Sequence, residues 1–153
     1  AAELTVTKTV TGAFGDTEHD FRFTLSVEGA DFAERYEWSK NGEPQSVPLR
    51  SGGSFTLRHG DSVVITLPKS MAVTVTEENE DYQTTFALSG EEAETTSSKT
   101  FVITDSQTLD VVNKRSMILP TGIRLNAAWP AAILLLSLGA ALLLVMRRRK
   151  TSS

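Results

Sequence analysis

Apolar and polar side chains alternate with a period of two through most of the first 115 residues, and that alternation confines the region to β-structure. Leu4, Val6 and Val10 are separated by Thr5, Thr7 and Thr9. Phe21, Phe23, Leu25 and Val27 are separated by Arg22, Thr24 and Ser26. The pattern returns at Phe55 and Leu57, at Val63, Ile65 and Leu67, and at Met71, Val73 and Val75. It continues at Phe86 and Leu88, at Phe101 and Ile103, and at Leu109 and Val111. Asn41-Gly42 suits the positive φ angles of a type I′ hairpin, and Ser51-Gly52-Gly53 and His59-Gly60-Asp61 mark further turns. About eight short strands at near-regular spacing predict an Ig-like β-sandwich. Residues 31–36 are expected to form one helical turn, and the acidic, Ser/Thr-rich stretch 89–100 a solvated loop or exposed hairpin.

Three residues break the alternation. Lys8 has the parity of Leu4, Val6 and Val10; Glu77 that of Met71, Val73 and Val75; Asn113 that of Leu109 and Val111. Side chains alternate across a strand, so all three are predicted to point inward. Glu78, the neighbouring acid, has the opposite parity. An unpaired buried charge costs several kcal/mol, so the three are best accommodated if they meet. Parity leaves three arrangements open. One is a buried Lys–Glu ion pair with Asn hydrogen-bonded beside it. Another is a slipped register with Lys8 near an exposed edge. The third is covalent: burial favours a neutral Lys8 amine and a protonated Glu77, the amine attacks the Asn113 carboxamide carbon, and Glu77 stabilises the oxyanion and passes a proton to departing ammonia.

A second feature governs the other end of the chain. Residues 127–146 contain no charged side chain over twenty positions. As a helix rising about 1.5 Å per residue they would span about 30 Å, the thickness of a bilayer's hydrocarbon core. Arg147, Arg148, Arg149 and Lys150 follow at once, which predicts a cytoplasmic tail and an external main domain. The net charge of −4 includes that basic tail, so the rest is more acidic still, which argues against nucleic-acid binding. The chain has no cysteine, which excludes thiol catalysis and disulfides. An exported domain needs a secretion signal and none stands at Ala1, so the chain is expected to be a C-terminal piece or a processed product. His19 and His59 are isolated, with no catalytic set around them, and no cofactor or metal is expected.

The same residues carry a resemblance. Leu4-Thr5-Val6-Thr7-Lys8-Thr9-Val10-Thr11-Gly12 resembles the first strand of the isopeptide-forming pilin and collagen-adhesin B-type (CnaB-like) domains of Gram-positive surface proteins. Phe55-Thr56-Leu57-Arg58-His59-Gly60-Asp61, followed by Leu67-Pro68 and Val73-Thr74-Val75-Thr76-Glu77, resembles their central segment. Leu109-Asp110-Val111-Val112-Asn113-Lys114-Arg115 resembles their last strand. The resemblance implies that Lys8 and Asn113 are bonding residues and Glu77 the catalytic acid. It also implies that the domain is its own single-turnover substrate and not an enzyme. Leu119, Pro120, Thr121 and Gly122, followed by the apolar run and the basic tail, resemble a sortase sorting signal, which implies cleavage between Thr121 and Gly122. The motif lacks the residue that separates Pro from Thr in LPxTG.

The expected organisation is a CnaB-like sandwich over 1–115, a linker with the sorting motif over 116–126, a transmembrane helix over 127–146 and a cytoplasmic tail over 147–153. The expected function is a stalk or anchor module of a wall-attached adhesin or minor pilin. Its expected partners are a sortase, peptidoglycan or a pilus subunit, and the membrane. The alternative is a ligand-binding adhesin module retained as a single-pass membrane protein, with Tyr36, Trp38 and Tyr82 as candidate anchors on a host ligand.

Overall fold

The computed structural model describes residues 1–117. Its strands are β1 (Ala2–Thr11), β2 (Phe21–Val27), β3 (Trp38–Lys40), β4 (Glu43–Pro44), β5 (Ser54–Leu57) and β6 (Ser62–Leu67). They continue with β7 (Met71–Glu78), β8 (Gln83–Leu88), β9 (Glu94–Thr95), β10 (Ser98–Ile103) and β11 (Gln107–Lys114). One sheet has the order β4-β3-β6-β1-β11-β8-β9 and the other the order β10-β7-β2-β5. The apolar residues that set the period-two pattern form one core between them: Leu4 and Val6 of β1, Phe23 and Leu25 of β2, Val73 and Val75 of β7, and Leu109 and Val111 of β11 are all fully buried. The all-β sandwich read from the alternation is the fold observed.

The first and last strands are neighbours. β1 lies antiparallel to β6 on one side and parallel to β11 on the other, with Val6 opposite Leu109, Lys8 opposite Val111 and Val10 opposite Asn113. A parallel pair cannot be joined by a tight hairpin, and here the entire intervening chain is the crossover. The β3–β4 hairpin turns through Asn41 and Gly42 at φ 51° and 84°, the type I′ geometry expected of Asn-Gly.

One local expectation is corrected and one refined. Residues 31–36 form a turn closed by Glu34 N–H donating to the Asp31 carbonyl at 2.9 Å, not a helical turn. Tyr36 then enters the core and bridges Leu49, and burying that ring directs the chain into extended structure. The stretch 89–97 is exposed turn and loop around the short β9, as expected, and β10 begins at Ser98. Its hydroxyls pair across to β7, Thr100 with Thr74 at 2.7 Å and Ser98 with Thr76 at 2.9 Å, so a polar run gains cross-strand contacts on the outer face.

Gly12 ends β1 at φ 94°, where a Cβ would lie 2.3 Å from the Arg115 carbonyl oxygen. The segment that follows is tied to the end of β11: Phe14 N–H donates to the Arg115 carbonyl at 3.0 Å, and Arg115 Nε returns a bond to the Phe14 carbonyl at 3.0 Å. Gly12→Ala meets both a disfavoured φ and backbone atoms that cannot swing away. It should cost about 2–3 kcal/mol, read as a lower urea midpoint with unchanged slope. Among the described residues no helix is long and apolar enough to cross a membrane. The sorting motif at 119–122, the apolar run at 127–146 and the basic tail lie outside the described residues.

Candidate functional site

Lys8, Glu77 and Asn113 lie together in the core, at 1%, 3% and 0% exposure. Their side-chain lengths suit their places. Lys8 and Asn113 are diagonal neighbours on the paired strands β1 and β11, a separation that a long side chain bridges. Glu77 sits on β7 in the opposing sheet, opposite Phe23 of β2, and reaches across the interior. Its Oε2 lies 3.5 Å from Lys8 Nζ and accepts from Asn113 Nδ2 at 3.0 Å. One carboxylate oxygen therefore touches both the amine and the carboxamide. Glu78 is exposed on the outer face of the same strand, as its parity requires.

Little else holds the amine. Lys8 Nζ donates to the Thr9 carbonyl at 3.3 Å and lies 4.1 Å from the centre of the Phe21 ring. Phe21 is packed edge-to-face against Tyr82 at 5.2 Å, and the Tyr82 hydroxyl accepts from Asp16 N–H at 3.0 Å. Arg115 lies over the outer face of Tyr82 at 4.7 Å. This end of the sandwich is thus closed by aromatic rings over a lysine.

Burial lowers the Lys8 pKa from 10.5 to about 8, against the opposing pull of the Glu77 charge and hydrogen bond. Burial also raises the Glu77 pKa above its ordinary 4.5, against the pull of Lys8 and then of the Asn113 bond. Both changes favour the neutral forms, because a low-dielectric site penalises each charge. The Asn113 carbonyl oxygen is buried without a hydrogen-bond partner. A half-turn of the carboxamide would present that oxygen to a protonated Oε2, the contact needed to polarise the amide and hold an oxyanion. The site can in this way supply a nucleophile, an acid and an electrophile in one dry pocket.

Several site residues were missed in the sequence. Asn79 Nδ2 donates to Glu77 Oε1 at 2.9 Å and to Thr84 Oγ1 at 3.0 Å. Thr84 is itself buried on β8, with the parity of Phe86 and Leu88, which was a legible signal. Asn79 shares the parity of Glu77 just past the β7 end. His59, isolated in the sequence, is structural: its Nδ1 accepts Val10 N–H at 2.9 Å, extending support for β1 beyond its ladder with β6. Of the candidate ligand anchors, Tyr36 is buried, and Trp38 and Tyr82 are partly buried against the core. No cluster of three or more metal-binding side chains occurs among the described residues.

A family model described as "Domain of unknown function (DUF7601)" matches residues 2–115. A pilin of Streptococcus pyogenes serotype M1 is 28% identical over 95% of this chain, and the pilus tip adhesin Cpa of Streptococcus pyogenes is 24% identical over 79%. The chain spans 48% of that pilin's length and 18% of that adhesin's. Among solved structures, the major pilin from Streptococcus pyogenes superposes with a TM-score of 0.65 at 28% identity, over 76% of this chain and 48% of that one. These relatives are pilus proteins, in agreement with the pilin and CnaB-like resemblance of the strand motifs, and pilins are structural proteins rather than enzymes.

Proposed function

The chain belongs to the family described as Domain of unknown function (DUF7601), and from the buried site it carries we propose that it is a load-bearing module of a pilus or other surface protein, locked by an isopeptide bond between Lys8 and Asn113. The observation that carries this reading is the single oxygen, Glu77 Oε2, in contact with both the Lys8 amine and the Asn113 carboxamide inside the core. In the reaction, Lys8 Nζ bonds to Asn113 Cγ and the Cγ–Nδ2 bond breaks. Glu77 relays the proton lost by the amine to the leaving nitrogen, which departs as ammonia. Holding the groups in place supplies much of the rate, since one molecule carries both reactants. No oxidant, metal or cofactor enters the balance.

The strand order gives the bond its mechanical sense. β1 and β11 are parallel neighbours, so tension between the chain ends would shear one past the other. With the bond in place the load passes from residue 8 to residue 113 and bypasses the strands between. In a chain without cysteine this does the work that exported domains often assign to disulfides.

The organisation proposed with it is the sandwich over 1–115, a linker with Leu119, Pro120, Thr121 and Gly122 as sorting signal, a membrane helix over 127–146 and a basic cytoplasmic tail. A sortase would cleave after Thr121 and join the chain to peptidoglycan or a pilus subunit. The pilin alignment supports this extension, because 95% of 153 residues reaches well past residue 117. Intact mass tests both parts. The folded chain should weigh one ammonia less than its sequence, with full mass restored in Lys8→Ala, Glu77→Ala and Asn113→Ala. Material released from an envelope should end at Thr121. A folded parent chain of full mass would overturn the crosslink, and envelope-linked material retaining Gly122 would overturn the sorting step.

A further inference from the structure

We propose that Asn79 is a positioning residue for the crosslinking reaction, holding Glu77 so that its proton resides on Oε2, the oxygen shared by Lys8 and Asn113. The inference rests on the isopeptide reading above and adds a residue to it. A carboxylic acid has two oxygens, and only a proton on the inner one can serve this chemistry. Oε2 faces Lys8 Nζ at 3.5 Å and Asn113 Nδ2 at 3.0 Å; Oε1 is hydrogen-bonded to neither. Oε1 instead accepts from Asn79 Nδ2 at 2.9 Å, with Thr84 Oγ1 a further donor at 3.5 Å. An amide nitrogen can only donate. A proton on Oε1 would therefore point at a donor that Thr84 holds in place. A proton on Oε2 leaves the Asn79 bond intact and is accepted by the Asn113 side-chain oxygen, which has no other partner, once that carboxamide makes its half-turn.

Thr84 makes the arrangement firm. The second Asn79 Nδ2 hydrogen goes to Thr84 Oγ1 at 3.0 Å, so both hydrogens are engaged in one plane between β7 and β8. Asn79 also stands between Glu77 and solvent. It lines a cleft of about 500 Å³ whose walls include Phe21 and Tyr82. Water reaching Oε1 through this cleft could donate or accept and would remove the selection; Asn79 can only donate from the atom it presents.

The test is the rate of mass loss in full-chain variants, with unfolding midpoints measured alongside. The parent should be fully short of one ammonia at isolation. Asn79→Ala should convert about 10–100-fold more slowly, leaving an uncrosslinked fraction that declines with time. Asn79→Asp keeps the shape but presents an acceptor to Oε1. It should be slowest near neutral pH and recover on acidification, as its own carboxyl gains a proton to donate. The charged groups facing position 79 are Glu77 and Lys8 within, and Asp16, His19, Glu78, Glu80, Asp81 and Arg115 around the cleft. They are common to both variants, so the acid recovery belongs to the substituted carboxyl only if Asn79→Ala lacks it. If both variants are fully crosslinked at isolation, or Asn79→Asp shows no acid recovery, the proposal is overturned while the crosslink stands. If the parent itself has full mass, the crosslink reading falls and this proposal falls with it.

Discussion

Replacing Lys8 by Met should lower the melting temperature of the chain by roughly 15–30 °C. A bond between Lys8 and Asn113 closes a loop of 105 residues, taking 113 minus 8. By the chain-entropy estimate used for disulfides, such a closure contributes about 4–5 kcal/mol, and each kcal/mol moves the midpoint of a domain this size by several degrees. Methionine fills the lysine stem and leaves no charge, and Glu77 keeps its bonds from Asn79 and Asn113. Were Lys8 only half of a buried ion pair, its loss would leave Glu77 buried without a counter-ion at a cost of about 3–5 kcal/mol. The discriminating variant is therefore Lys8→Met with Glu77→Gln, in which no charge stays buried and an ion pair would be replaced at little cost or with a gain. For that double variant the covalent reading predicts the same large fall, where the ion-pair reading predicts none or a rise. Equal midpoints for parent and Lys8→Met would end the covalent reading.

Strand faces were legible because their periodicity is short and the core is built from both sheets. Once Leu4, Val6 and Val10 face inward, Lys8 must as well, and the same rule placed Glu77 and Asn113 and turned Glu78 outward. What parity cannot supply is which strands are neighbours. That β1 pairs in parallel with β11, bringing positions 8 and 113 within reach, is a long-range fact with no local signature. Asn79 was hidden for a related reason: it lies beyond the strand end, where alternation stops being a guide, and only the coordinates bring it to Glu77. The role of His59 had no local signature either: its Nδ1 takes the place of a ladder acceptor for Val10, a contact between a turn and a strand 49 residues apart. Residues 31–36 lost their expected helical turn to the burial of one ring, Tyr36, a tertiary preference outweighing a weak local one.

The pH dependence of stability should differ between the parent and Asn113→Ala in a way that reports whether Lys8 is still an amine. In the variant the electrophile is gone, while Lys8 and Glu77 remain buried together. Lys8 holds its proton less tightly when folded, with a pKa of about 8 against 10.5 unfolded. Between those values the unfolded chain carries the extra proton, so stability rises with pH. Below about 8 that gain is lost. A difference of about 2.5 pH units corresponds to roughly 3 kcal/mol. Glu77 works in the opposite sense: its folded pKa lies above 4.5, so its contribution is present below 4.5 and lost as pH rises through the folded value. The variant should be least stable near neutrality and recover above pH 8. In the crosslinked parent Lys8 is an amide in the folded and unfolded chain alike, and an amide does not titrate. The alkaline recovery should therefore be absent from the parent, while the acid-side dependence through Glu77 persists. Urea midpoints of both proteins from pH 4 to 10 measure this directly, and their difference cancels the surface groups they share. A parent that gains stability above pH 8 in parallel with Asn113→Ala would show that its Lys8 still carries a free amine.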